Sequence, residues 1–170
     1  MDCFGMKWHI IFWKIALWCM LFMMLHACHQ AHPYPDTPVL TFIGLSKDTL
    51  QQGVLNSDSV IVRFNFTDGD GDIGDMPGDT MPDLMIKDLR TNSVEFFKLP
   101  LIKSTTSGPI SVEASVRIYN SCCIFADGRP PCTPVSVSTF QEVTYELSIR
   151  DRAGHLSNIL TLPTIHLLCN

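Results

Sequence analysis

The amino-acid sequence predicts an all-β fold, a single antiparallel β-sandwich that occupies most of the chain. The clearest observation is the run SVIVRFNFT at residues 59–67, whose apolar side chains fall on alternate positions, as in a strand with one buried face. About seven β-rich runs follow residue 39, and turn-forming residues separate them, which is typical of a sandwich. No window of about eleven or more residues shows the apolar periodicity of a helix.

The predicted strands follow one another from residue 39 to the C-terminus. The first is VLTFIGLS, and the second is the alternating run at residues 59–67. LMIKDL and VEFFKLPLI lie on either side of RTNS, whose composition suits a hairpin turn. ISVEASVRIYN comes next, and YELSIRD and ILTLPTIHLL flank the turn RAGHLSN. Short strands joined by short turns favour antiparallel neighbours.

The N-terminus has the features of a signal for export. Lys7 and Lys14 supply positive charge, and the apolar run IALWCMLFMML is too short, at about eleven residues, for a helix that crosses a bilayer. The following LHAC resembles the lipobox of bacterial lipoproteins, although His26 stands where a small residue is usual. This resemblance implies a lipoprotein signal peptide over residues 1–27 and a lipid on Cys28. The alternative is ordinary secretion, with Cys28 as a plain thiol.

The chain beyond the predicted signal peptide has the size of one domain. Removal of residues 1–27 leaves 143 of the 170 residues and changes the net charge from −5 to −6. Residues 28–38 are rich in proline and lack hydrophobic periodicity, which predicts a flexible tether, and residues 39–170 form the predicted β-sandwich. An acidic chain without a basic patch is not expected to bind nucleic acid.

Four further cysteines predict two disulfides in an oxidising compartment: Cys122, Cys123, Cys132 and Cys169. Three connectivities are open, but adjacent cysteines bridge only with strain. We therefore expect one of the adjacent pair to close the CCIFADGRPPC loop through Cys132, and the other to reach Cys169. A zinc site is the alternative, but the spacing lacks a CxxC pair.

The segment YELSIRDRAGHLSN resembles the last hairpin of bacterial immunoglobulin-like modules, whose penultimate strand ends in a D-x-A-G-N turn. His155 stands here where the asparagine is usual. Together with LHAC, FTDGDGDIG and CCIFADGRPPC, the chain resembles envelope lipoproteins of Bacteroidota over most of residues 20–170. The resemblance implies an immunoglobulin-like β-sandwich and a location in the cell envelope, but no activity.

Carboxylates are crowded just after the second predicted strand, in FTDGDGDIGDMPGD, with no Lys or Arg between Arg63 and Lys87. Such carboxylates raise one another's pKa unless a cation intervenes, and calcium takes six to eight oxygen ligands. Asp68, Asp70 and Asp72 lie on alternate positions and are the predicted ligands. The shell would be completed by Asp75, Asp79 or Asp151. The loop is not an EF-hand, because Ile73 takes the place of the required glycine and no helices flank it. The alternative is a solvated turn.

No motif of a catalytic site is present, so we expect a protein that is not an enzyme. The sequence favours a membrane-anchored envelope lipoprotein, a calcium-stabilised interaction or scaffold module that contacts an envelope protein or a glycan. The alternative is a calcium-dependent carbohydrate-binding module. All three tryptophans lie in the predicted signal peptide, which weakens that alternative. No acidic residue directly follows Cys28, which favours an outer-membrane lipoprotein that faces the periplasm over one at the cell surface.

Overall fold

A computed structural model of the chain describes residues 33–74, 78, 80–100, 102 and 108–170. The predicted signal peptide, Cys28, Asp75 and Asp79 lie outside these residues. The described part is all-β, as predicted, and contains no helix that could span a membrane. It belongs to a unit that begins at His32 and ends at Asn170.

The described residues contain ten strands. They are β1 (Val39–Leu45), β2 (Thr49–Gln51), β3 (Ser59–Asp68), β4 (Leu84–Asp88), β5 (Val94–Phe97), β6 (Ile110–Tyr119), β7 (Thr139–Val143), β8 (Tyr145–Ile149), β9 (Leu160–Thr161) and β10 (Ile165–Cys169). Sheet A has the order β1-β3-β6, sheet B the order β2-β10-β7, and sheet C the order β5-β4-β8-β9.

Strand β3 is the centre of sheet A and pairs antiparallel with both neighbours. Its alternation is confirmed, because its four apolar side chains on one face are at most 1% exposed: Val60, Val62, Phe64 and Phe66. They join buried side chains from the other two sheets, such as Leu147 of β8 and Ile165 of β10, in one core. Burial of this apolar face gives β3 its fixed register, since a slip of one residue would turn the face towards water.

Sheet B departs from the predicted all-antiparallel arrangement. Strand β10 is antiparallel to β7 but parallel to β2, with His166 opposite Thr49. The two strands are far apart in sequence, so no hairpin forces them to run in opposite directions. Backbone hydrogen bonds from Gln52 N to Leu168 O (2.9 Å) and from His166 N to Asp48 O (2.7 Å) hold them together.

The last predicted strand, ILTLPTIHLL, is divided by Pro163. Residues before the proline form β9 in sheet C, and residues after it form β10 in sheet B. Proline has no backbone N–H to donate and therefore interrupts a ladder. The break lets one segment of chain contribute to two sheets.

Both disulfides lie next to the end of β6. Cys122 pairs with Cys132, ten residues away, and closes the loop as expected, with a Cα–Cα distance of 4.5 Å. Cys123 pairs with Cys169, at 6.0 Å between Cα atoms, and joins the segment after β6 to the end of β10. The structure thereby decides which of the two adjacent cysteines takes which partner.

Candidate metal centre

The last residue of β3, Asp68, is an acid in the core of the protein. Its side chain is 0% exposed because the strand carries it past the buried face formed by Phe64 and Phe66. The backbone N–H of Asp72 donates to its Oδ2 at 3.0 Å. Its other oxygen, Oδ1, is buried and receives no hydrogen bond from any donor of the described residues. A buried carboxylate oxygen without a partner is costly, on the order of 1–3 kcal/mol or more.

The loop that follows β3 docks on the turn between β8 and β9. The backbone carbonyl of Asp72 accepts a hydrogen bond from Arg152 N at 3.2 Å, and the side-chain Oδ2 of Asp72 accepts one from Ala153 N at 3.0 Å. Arg152 Nη1 also donates to the carbonyl of Gly74 at 3.4 Å. The remaining carboxylate oxygen, Asp72 Oδ1, is buried without a hydrogen-bond donor among the described residues, like Oδ1 of Asp68.

The third acid, Asp151, belongs to the turn itself and is 4% exposed. Both carboxylate oxygens of Asp151 contact His155. The backbone N–H of His155 donates to Asp151 Oδ1 at 2.7 Å, and the ring Nδ1 of His155 lies 2.7 Å from Asp151 Oδ2. Hydrogen bonding to Asp151 is the main cause that raises the pKa of His155, and the negative charge of Asp151 adds to it. Each carboxylate oxygen has two lone pairs, so this contact leaves Asp151 able to bind a cation.

These three carboxylates converge on one point. One oxygen from each of Asp68, Asp72 and Asp151 lies within 4.8 Å of the others. Two oxygens that each bind the same calcium ion at about 2.4 Å are separated by at most about 4.8 Å, so a shared ion fits this spacing. The buried Oδ1 atoms of Asp68 and Asp72, which have no hydrogen-bond partner among the described residues, are a second observation that fits a cation site.

Without a cation, Asp68 and Asp72 bind protons more tightly than ordinary carboxyl groups do. The pKa of Asp68 is raised to about 7, first by burial and next by the neighbouring Asp70 carboxyl, with which a protonated Asp68 shares a hydrogen bond. The pKa of Asp72 is also raised, by burial and by the charges of Asp151 and Asp70. Both shifts mean that the site favours a bound positive charge, either a proton or a metal ion.

Gly71 gives the loop the conformation that brings Asp72 back to Asp68. Its φ is +71°, and a Cβ atom there would collide with the carbonyl of Gly108, just before β6. A side chain is therefore excluded both by conformation and by space. The neighbouring Gly69 has equally little room, because a Cβ would come within 2.6 Å of the Tyr34 carbonyl and of Asp36 Oδ1.

The structure places the six predicted metal ligands differently. Asp68, Asp72 and Asp151 come together, whereas Asp70 is exposed and is not among the three convergent residues. Asp75 and Asp79 lie outside the described residues.

Residues that sequence reasoning missed also lie at the site. Asp36 and the Tyr34 carbonyl, within the predicted tether, lie against Gly69, and His155 orients Asp151. The sequence contains a signal for His155, since it follows Asp151 by four residues in a turn, but none that would place residues 34–36 here.

A separate cavity of about 430 Å³ lies near the other end of β3. Tyr119 lines this cavity and lies opposite Ser59, the first residue of β3. Asp68 is the last residue of β3, about 30 Å from Ser59 along the strand. On the wall of the cavity, Arg90 Nη2 donates to Asp88 Oδ2 at 2.7 Å and to Ser121 Oγ at 2.9 Å. The bonds to the guanidinium join the β4–β5 turn to the segment that carries the disulfides.

Comparison with protein-family models, with curated proteins and with solved structures finds no match for this chain.

Proposed function

We propose that this chain is a non-catalytic, membrane-anchored lipoprotein of the cell envelope, whose immunoglobulin-like β-sandwich binds calcium as a structural ion. The single observation that supports calcium is the pair of buried, unpartnered oxygens on Asp68 and Asp72, next to Asp151. The convergent ligands are all oxygen atoms, which suits a hard cation with a flexible coordination shell. The domain acts by contact, as an interaction or scaffold module for an envelope protein or a glycan.

The ion would join parts of the chain that belong to different sheets. Asp68 belongs to sheet A, and Asp151 follows β8 of sheet C. A cation between them would cross-link the two sheets through the loop that carries Asp72. The site's burial favours this structural role over catalysis, because two of its three acids are closed to solvent.

Calcium is expected to raise the melting temperature of the purified protein, and EDTA is expected to reverse the effect. With Kd near 10⁻⁴ M, as in other extracellular modules, 10 mM calcium contributes about 2.7 kcal/mol, or roughly 8–10 °C for a domain of this size. Differential scanning calorimetry at pH 7.5 measures the shift, and magnesium at equal concentration serves as the control ion. An identical melt in EDTA and in calcium would contradict the proposal.

The lipid anchor has its own test. In growing bacteria, labelled palmitate is expected to appear on the protein and to be absent from the Cys28→Ala variant. Cys122→Ala is the matched control, since it also removes one cysteine but leaves residue 28 unchanged. Label that persists in Cys28→Ala would refute lipidation at that residue and would return ordinary secretion as the explanation of the N-terminus.

A calcium-dependent carbohydrate-binding module is the second candidate. A sugar that coordinates the ion needs access to it, and the burial of Asp68 and Asp151 restricts that access. The exposed ring of Phe140 packs edge-on against His166, with an interplanar angle of 84°, and forms no flat platform with it. The cavity beside Tyr119 offers space for a ligand, but at a distance from the acids. The structural role is therefore the better supported of the two.

A further inference from the structure

Strand β6 is a long edge of sheet A. It pairs with β3 over all ten of its residues, from Asp68 opposite Ile110 to Ser59 opposite Tyr119, without a shift in register. Among the residues that the structure describes, no strand pairs with its other side. Such an edge presents a row of backbone N–H and C=O groups to any further strand.

The other sheet edges in the described part of the chain are short or irregular. The register of β1 shifts between Phe42 and Gly44. Strands β2, β5, β7 and β9 contain three, four, five and two residues. Short strands and irregularities are common means by which proteins protect an edge from pairing. Strand β6 has neither of these features, and it contains no proline and no lysine.

The inner face of β6 is apolar and incompletely covered. Val112, Ala114 and Val116 are only half-buried. Their partners on β3 are at most 1% exposed, because β3 has a neighbour on each side. The difference between the two strands places uncovered apolar surface at the open edge, where an added strand would bury it.

The sequence of β6 is complementary to itself. If two copies pair antiparallel about Ser115, Glu113 of one copy lies opposite Arg117 of the other, and this occurs twice by symmetry. On the inner face, Val112 then lies opposite Ile118, and Ala114 opposite Val116. Opposite charges and apolar pairs at facing positions each stabilise a ladder.

Within one copy, Arg63 of β3 already contacts Glu113 at 2.6 Å, and both side chains are more than half exposed. Arg117 of the second copy would extend this contact into a row of alternating charge, Arg63–Glu113–Arg117, across three strands. A two-fold axis at Ala114 would instead face Glu113 with Ser115, so the charges select the axis at Ser115.

We propose that two copies of this chain form a dimer through antiparallel β6–β6 pairing about Ser115, which joins the two copies of sheet A into a six-stranded sheet. We assign the edge to a second copy because the charged and the apolar residues of β6 face matching residues when β6 pairs with itself in this register. This interaction does not rest on the calcium site, which lies at the end of β6 that begins with Ile110.

Cross-linking through one introduced cysteine tests the register. In the full-length Ser115→Cys protein, the two new thiols would face each other across the axis, with Cβ atoms about 5 Å apart. Ser111→Cys is the matched control: it is an exposed serine of the same strand, but its two copies would be about 27 Å apart. With a short bis-maleimide, Ser115→Cys is expected to form at least ten times more dimer than Ser111→Cys on a reducing gel. Equal cross-linking, or none in Ser115→Cys, would overturn the proposal.

Charge reversal tests the pairing partner. In the Ser115→Cys protein, Glu113→Arg alone and Arg117→Glu alone each place like charges opposite each other twice, and each is expected to reduce cross-linking about tenfold. In a mixture of the two variants, one copy is positive at both positions and the other is negative at both. Opposite charges then face each other at both pairs, so cross-linking is restored. Glu142→Arg on β7, also exposed, is the control and leaves cross-linking unchanged.

Recovery in the mixture also shows that both single variants are folded. If the mixture gives no more cross-linked dimer than the single variants, the self-pairing is refuted. The open edge would then belong to another occupant, such as a strand of a different protein or another segment of this chain.

Discussion

Removal of the Cys123–Cys169 disulfide is expected to lower the free energy of unfolding by about 4 kcal/mol. The bond closes a loop of 46 residues, and the entropy that such a closure removes from the unfolded chain gives about this value. The Cys122–Cys132 bond closes only ten residues, and its removal is expected to cost about 3 kcal/mol. Both pairs are best replaced by alanine, because a serine hydroxyl at buried Cys123 or Cys169 would lack water.

The larger loss of stability expected without the Cys123–Cys169 bond has a structural cause in addition to the entropic one. Cys169 ends β10, which carries both β2 and β7, and Cys123 follows the segment at the end of β6. Loss of the bond removes the covalent link between sheet B and the segment that follows β6. The backbone N–H of Cys123 also donates to Gln52 Oε1 at 3.4 Å, a contact next to β2 that the bond helps to hold.

Urea denaturation followed by far-UV circular dichroism measures both costs. The double variant Cys122→Ala/Cys132→Ala is the matched control, since it also removes two thiols and one bond. Equal costs for the two pairs, or a greater cost for the ten-residue loop, would contradict the expected order. A change in the denaturant slope m would show that the unfolded state had expanded, as the entropic explanation requires.

The strands that sequence reasoning predicted best are those with one fully buried face. The alternation of Val60, Val62, Phe64 and Phe66 is confirmed because every second residue of β3 enters the core. Strand β2 was missed because its three residues are too short for a periodic signal, and β7 was missed because only Val143 of its five residues is buried, which leaves no alternation to detect. Their position depends on hydrogen bonds to β10, which no local pattern encodes. The parallel pairing of β2 with β10 could not be predicted for the same reason.

The candidate site shows where alternation ceases to be a guide. Asp68, Asp70 and Asp72 alternate in sequence, but alternate residues share a face only while the backbone is extended. At Gly71 the chain turns, so Asp72 folds back to Asp68 while Asp70 faces solvent. Asp151 comes from a turn 79 residues beyond Asp72, and only the tertiary fold brings it near. The sequence therefore predicts the type of ligand better than the set of ligands.

Replacement of Asp68 by asparagine is expected to stabilise the metal-free protein at pH 8 and to remove its response to calcium. The pKa of Asp68 is about 7 in the folded state, above the ordinary value of 3.8. At pH 8 the folded protein therefore carries a buried negative charge that the unfolded chain solvates at no cost. An asparagine has nearly the same shape and no charge, and its Nδ2 can donate to the unpartnered Oδ1 of Asp72.

The same pKa fixes how stability depends on pH. Because the folded value is raised, the folded state binds more protons than the unfolded state between pH 3.8 and about 7. In EDTA, the wild-type protein is expected to gain stability as the pH falls from 8 to 5. A shift of this size corresponds to about 2–4 kcal/mol, or roughly 6–12 °C in melting temperature. The raised pKa of His155 acts in the same direction, since its stabilising charge is lost as the pH rises.

Melting temperatures distinguish a metal site from a carboxylic acid that is simply buried. They are measured for wild type, Asp68→Asn and Asp70→Asn, with EDTA or with calcium, at pH 5 and at pH 8. For a metal site, calcium stabilises wild type at pH 8 and does so less at pH 5, because protons compete for the same oxygens. Asp68→Asn is insensitive to calcium, and Asp70→Asn retains more of the wild-type response because Asp70 is not among the three convergent acids. If calcium leaves wild type unchanged while Asp68→Asn still stabilises the protein at pH 8, Asp68 is a buried carboxylic acid and not part of a metal site. If neither change has an effect, Asp68 is not the buried, unpartnered acid that the structure shows.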